Sequence, residues 1–220
     1  NMTLASELHN QALRSGATLL GTGINPGYLM DAWPLFMTGP CQVVHAIRAT
    51  RTQAASDRRG PFQHKIGAGL DEKEFRRQAA AGAIRHVGLT ESAWMIASGM
   101  GWPLDDLTET IEPIIASCRI DTEHVSVETG QVAGARQNAV GTLDGRQVIT
   151  LEFRAAVGLG ESYDSVSIEG IPPLQARING GVHGDLGTAA VVVNSIPRVA
   201  AAPPGLVTMK DLPPPLSFGT

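Results

Sequence analysis

The chain has 220 residues, enough for one substantial core or one core with a small appendage. Its formal net charge of −4 comes with no basic cluster, which argues against nucleic acid as a partner. Cys41 and Cys118 are too few and too far apart for a disulfide framework or a zinc site, and no apolar run approaches the roughly 18–20 residues of a membrane span. No signal peptide is evident, so the expected compartment is the cytoplasm, with no membrane and no metal.

Apolar residues at Leu4, Leu8, Ala12 and Leu13 predict a first helix ending at Gly16, followed by a short strand from Ala17 to Leu20. The run Gly21-Thr22-Gly23-Ile24-Asn25-Pro26-Gly27 comes next. A helix is predicted from Tyr28 to Met37, with Leu29, Trp33 and Phe36 on one side, and Gly39-Pro40 ends it. Cys41 to Thr52 alternates as a strand, Val43, His45, Ile47, Ala49 and Arg51 facing one way. Gln53 to Leu70 reads as a long loop, functional or mobile rather than idle. Asp71, with Glu74 three residues on, predicts a reciprocally capped helix to about Ala81, and Leu89 to Gly99 a further helix.

From Leu107 the texture turns to strands: Thr108–Glu112, Val125–Glu128, and Val132–Thr142 with Gln147–Val157 flanking the hairpin signal Asp144-Gly145. Ser165–Glu169 and Gln175–Ile178 add two more. A glycine-rich turn at 180–184 leads into a helix from Asp185, with Ala189, Val192, Val193 and Ile196 predicted on its buried side. Pro197 lies in its last turns, and a proline-rich tail beyond Ala202 is expected to be extended. The pattern predicts an α+β fold, an open mixed or antiparallel sheet with helices on one face.

The bend at 21–27 offers several backbone amides and the carboxamide of Asn25 at the end of a strand, where ligands bind in open α/β sheets. Only about twenty residues precede it, too few for a dinucleotide-binding fold, so the chain reads as the second half of something. The bend is not a phosphate-binding G-x-G-x-x-G, since Pro stands at 26 and Tyr28 follows Gly27. A plain turn with a structural Asn is the alternative.

The segment GTGINPGYLMDAWPL resembles the junction of the 2,4-diaminopentanoate dehydrogenases and related NAD(P)-dependent amine dehydrogenases, which are relatives of dihydrodipicolinate reductase. HKIGAGL at His64–Leu70, HVGLTES at His86–Ser92, TETIEPIIA at Thr108–Ala116 and VAGARQ at Val132–Gln137 extend the likeness. INGGVHGDLGTAAVVVNSIPRV from Ile178 and APPGLVTMKDLP from Ala202 carry it to Pro213, in the family's order.

The resemblance implies that residues 1–27 are the last helix and strand of a Rossmann domain plus the junction, and that 28–220 form a substrate-binding and oligomerisation domain. It implies that Gly21, Thr22, Gly23, Asn25, Pro26 and Gly27 lie against the nicotinamide of NAD or NADP. Tyr28 and Trp33 would wall the substrate pocket and keep water from the imine. Read from the residues, Arg58, His64 and Lys65 could bind a substrate carboxylate, and His183 could meet substrate at a helix start; a solvated basic loop and a locally satisfied His are the plain readings. His9, His45, His86 and His124 show no ligand spacing and are assigned nothing, and Glu91, Glu109 and Glu112 read as surface or interface carboxylates. The catalytic acid or base is expected in the first domain. The expected activity of the full parent is conversion of an amine to a ketone plus ammonia, in a homodimer formed through the sheet domain. An imine reductase of the dihydrodipicolinate type is an alternative, disfavoured because the paired-histidine and lysine signature is missing. A non-catalytic oligomerising module is the other.

Overall fold

A computed structural model describes residues 2–218. The chain runs α1 (Met2–Ser15), β1 (Thr18–Leu20), α2 (Ala32–Met37), β2 (Val43–Ala54), α3 (Gly60–Lys65), α4 (Glu72–Ala80), α5 (Leu89–Met100) and β3 (Asp106–Ile115). It continues with β4 (Ile120–Asp121), β5 (Ser126–Val127), β6 (Val132–Leu143), β7 (Arg146–Ala156), β8 (Tyr163–Ile171), β9 (Leu174–Asn179), α6 (Gly184–Ala201), β10 (Gly205–Val207) and a 3-10 turn at Met209–Asp211.

Six strands form the main sheet in the order β3-β6-β7-β2-β8-β9. All its neighbours are antiparallel except β2 and β7, which run parallel with Arg51 beside Phe153. The period-two pattern sorts side chains to two faces. Ile47, Ala49, Ile149, Leu151, Val166 and Ile168 face the helices and are at most 1% exposed. Leu89, Ala93 and Ile96 of α5 close over them, and each fully buried Leu or Ile contributes roughly 1.5–3 kcal/mol. The other face carries Arg48 and Thr50, Thr150 and Glu152, Ser165 and Ser167, and stays polar and half open. This is the α+β sheet with helices on one face that the sequence predicts. Asp144 and Gly145 both take positive φ, 51° and 70°, as a two-residue hairpin turn between β6 and β7 requires.

Several local expectations are corrected. Regular helix in α2 starts only at Ala32, because Asp31 caps it; residues 28–31 are turns, and Phe36 is 69% exposed rather than sharing a buried side with Leu29. The long loop after β2 is shortened by α3, whose Pro61 stands in the first turn, where a missing N–H costs nothing. Asp71 does cap α4 by accepting from Glu74 N at 2.8 Å, but the Glu74 carboxylate turns to Arg77 and Gln78 instead of back to the cap. A bulge between Val44 and Ala46 breaks the alternation in β2, which leaves Val43 and His45 exposed on a strand whose Ile47 and Ala49 are buried.

The predicted buried side of α6 is reversed. Gly187, Val191 and Ser195 are buried, while Val192, Val193 and Ile196 are 43%, 50% and 56% exposed. In α1 only Ala12 of the predicted stripe is buried. The tail is not simply extended: Gly205–Val207 pairs in parallel with β1. No helix among the described residues is long and apolar enough to cross a membrane.

Candidate functional site

The bend after β1 is held from within. Gly27 takes φ 128°, and a Cβ there would lie 2.5 Å from Thr22 Oγ1 and 2.6 Å from Gly23 N, so only glycine fits. Its amide donates to Asp31 Oδ2 at 2.7 Å, and the same carboxylate accepts from Ala32 N and from Ser92 Oγ, each at 2.7 Å. Burial raises the Asp31 pKa, opposed by those three hydrogen bonds. The Asn25-Pro26 peptide is cis, and Pro26 packs on Gly88 at the start of α5. On the far side, Ile24 N and Gly23 lie against Thr188 of α6.

Beyond Asn25 opens a cleft of about 540 Å³. Its floor is the carboxyl end of the parallel strands, with Arg51, Gln53 and Phe153; Arg58, Phe62 and Lys65 wall one side, and Gly184, Asp185 and Thr188 of α6 the other. Arg51 is 2% exposed and donates to Asp164 Oδ1 at 3.0 Å, directly across the β2–β8 pair. The same two side chains grip Val182: Arg51 Nη2 donates to its carbonyl and its amide donates to Asp164 Oδ2, both at 2.7 Å. With its amide oxygen turned to the guanidinium, Gln53 accepts from Arg51 Nη2 at 2.6 Å. Burial lowers Arg51 and raises Asp164, each opposed by the charge of the other. This knot fastens the turn before α6 to the sheet. The remaining cations are freer. Arg58 lies over the Phe62 ring at 4.5 Å and 3.7 Å from Asp185 Oδ2, while Lys65 is exposed at the rim.

His86 closes the cleft on the bend side. Its ring stacks on Phe153, centroids 4.2 Å apart and 13° from parallel. Gln137 clamps its backbone from both ends, accepting from His86 N and donating to His86 O, each at 2.8 Å. Gln137 also donates to Glu109 Oε1 at 2.8 Å, and Glu109 pairs with Arg85 at 2.9 Å. Burial, then the charges of Arg51 and Lys65, lower the His86 pKa to about 4, with Glu91 opposing. The ring is therefore neutral near pH 7. Its Nε2 lies 2.7 Å from Asn25 Nδ2.

The sequence-predicted residues divide into groups. Asn25, Arg58 and Lys65 line the cleft. Thr22, Gly23, Pro26 and Gly27 form the bend behind it, whereas Gly21 is exposed with open space around it. Tyr28 and Trp33 line a different cavity, a groove of about 610 Å³ between α2, α5 and the tail. His64 is exposed on the last turn of α3, and His183 is exposed at the cap of α6, its carbonyl accepting from Gly187 N at 2.8 Å; neither lines the cleft. Glu109, read as a surface or interface carboxylate, is 17% exposed and engaged with Gln137 and Arg85. Arg51, Phe153 and His86 were missed. A charged residue on the apolar side of a strand is the available signal for Arg51, whereas His86 opens the family-like stretch HVGLTES but has no ligand spacing. Among the described residues no group of three His, Cys, Asp or Glu could hold a metal ion.

A mixed sheet with one helical layer, entered by a bend from a short parallel pair, defines a dihydrodipicolinate-reductase-like C-terminal domain. The solved amine dehydrogenase from Mycobacterium smegmatis has this architecture: it superimposes with a TM-score of 0.82 at 25% identity, over 99% of this chain and 65% of that one. The chain belongs to the 2,4-diaminopentanoate dehydrogenase C-terminal domain family, whose model matches residues 28–219. A 2,4-diaminopentanoate dehydrogenase from Acetoanaerobium sticklandii is 36% identical over 219 residues, which cover 96% of this chain and 62% of that protein. The chain thus spans less than two thirds of the length of either relative.

Proposed function

We propose that this chain is the substrate-side and oligomerisation domain of an NAD(P)-dependent dehydrogenase that interconverts an amine and a ketone plus ammonia. The observation that carries the reading is the cleft: a closed set of polar groups at the carboxyl ends of β2 and β7, bordered by the Asn25 bend. The bend has the features of a seat for a nicotinamide. Thr22 Oγ1 and Asn25 Oδ1 are buried with no hydrogen-bond partner, and a carboxamide brings matching donor and acceptor groups. A nicotinamide held there would supply the acceptor for a hydride leaving the amine-bearing carbon. The residues of this chain bind and shield. Phe62 and Phe153 exclude water from the reacting carbon, and Arg58 and Lys65 draw in a substrate carboxylate. No acid or base is assigned here, because His86 is neutral with its Nε2 engaged and the buried carboxylates are committed to structural donors. The half-open face of the sheet is the surface left for a homodimer through this domain, and the cytoplasm as the compartment fits its cysteine usage.

The test is steady-state assay of the full-length parent with 2,4-diaminopentanoate and with amines of similar length that lack the carboxylate. The expected result is a lower KM for the carboxylated amine, and for Lys65→Ala a KM rise of about three- to tenfold confined to it, with stability within about 0.5 kcal/mol of the parent. Activity on neither class overturns the reading, and equal use of both with no effect of Lys65→Ala removes the carboxylate site from it. Light scattering of the chain in solution tests the dimer, and a monomer at working concentration removes it.

A further inference from the structure

The contact between Asn25 and His86 has a directional consequence. An amide NH2 only donates, so at 2.7 Å the ring nitrogen Nε2 must accept, and the imidazole proton sits on Nδ1. That engages the nitrogen end of Asn25 and leaves its oxygen without a partner, although the atom is buried. Such an acceptor is costly until something donates to it. The ring that imposes this orientation is itself immobilised, by Phe153 on its face and by Gln137 on its backbone, with Glu109 and Arg85 behind. Three separate elements thus converge to hold one carboxamide.

We propose that His86 is the positioning residue that fixes Asn25 with its oxygen free, and so selects for an N–H donor in the bound state. The inference rests on the functional reading above. The donor has two sources, the nitrogen of the substrate or the carboxamide of the nicotinamide. The charged groups that face the ring are Arg51 from β2, Lys65 from α3 and Glu91 from α5. The two cations outweigh the carboxylate and oppose a second proton, which would convert Nε2 into a donor and reverse the arrangement.

The first experiment needs no catalysis. Nitrogen-15 NMR of the imidazoles in this chain is expected to show His86 as the neutral Nδ1–H tautomer from about pH 8 down to about pH 5. Asn25→Asp replaces the donor by an acceptor and is expected to put a proton on Nε2, with the His86 pKa raised by at least about one unit. An Nε2–H tautomer in the unaltered chain, or no response to Asn25→Asp, overturns the proposal. These results stand even if the parent is no dehydrogenase.

The second experiment uses the parent. His86→Phe keeps an aromatic ring on Phe153 but cannot accept, and is expected to raise one KM about tenfold with kcat changed less. His86→Gln, whose oxygen can accept from Asn25, is expected to restore most of it. A rise in the amine KM identifies the substrate nitrogen as donor, and a rise in the cofactor KM identifies the carboxamide. Folded His86→Phe with both constants unchanged, or the same loss in His86→Gln as in His86→Phe, overturns the proposal, since a merely structural histidine would do either.

Discussion

The two cavities of this domain are similar in volume, about 540 and 610 Å³, and opposite in construction. The groove under Trp33 is shaped by packing: Tyr28, Trp33 and Leu35 on one side, Leu212, Pro214 and Leu216 on the other. The cleft at Arg51 is shaped by polar groups whose partners come from distant parts of the chain. Packing surfaces adjust to a lost methylene, whereas a buried charge that loses its partner has no substitute. The cleft should therefore fail abruptly where the groove yields by degrees.

The most damaging break is expected at the buried knot. Asp164→Ala removes the carboxylate that balances the buried guanidinium and leaves Arg51 Nη1 and the amide of Val182 without acceptors, and should cost on the order of 3–5 kcal/mol by urea denaturation. Replacing both partners by apolar residues, Arg51→Met with Asp164→Leu, should recover much of that loss, because no uncompensated charge remains. A double variant no better than the single would put the cost elsewhere.

Acid should sharpen the contrast next. The unfolded chain takes up a proton on His86 near pH 6.5, while the folded chain does so only at about 4. Between these values the unfolded state binds more protons, so stability falls as pH drops through the window, by roughly 3 kcal/mol, and levels off below it. In His86→Phe that part of the slope should vanish. The groove contains no such group, and Trp33→Ala should show the smallest effect, about 2 kcal/mol for a half-buried ring, unchanged across the same pH range. A pH-dependent cost at Trp33 would mean that the two cavities are coupled.

Local chemistry made most of the elements legible. The Asp144-Gly145 turn and the cap at Asp71 each act over a few residues and are readable in the sequence, although the return bond from Glu74 is not made. Helix α6 was not legible. Small apolar residues surround nearly its whole circumference, so no periodicity chooses a face, and contact with Ile24 and Val182 decides that Gly187 lies inward. The cleft was legible only in part, at Asn25, Arg58 and Lys65. Arg51 and Phe153 meet through a parallel pairing, and Asp164 joins them from a third strand; no spacing along the chain encodes such a meeting. His86 has no ligand spacing to mark it, because its role comes from what surrounds it.

The place of β2 has a consequence for how the molecule comes into being. Both of its neighbours in the sheet, β7 and β8, follow it by about a hundred residues, so a ribosome releases β2 long before either exists. Until then its two edges and its Arg51 wait in the nascent chain, as an invitation to chaperones or to stray strands. The cleft is thus among the last parts of the domain to be completed during synthesis, and a chain halted before β7 would carry its floor unfinished.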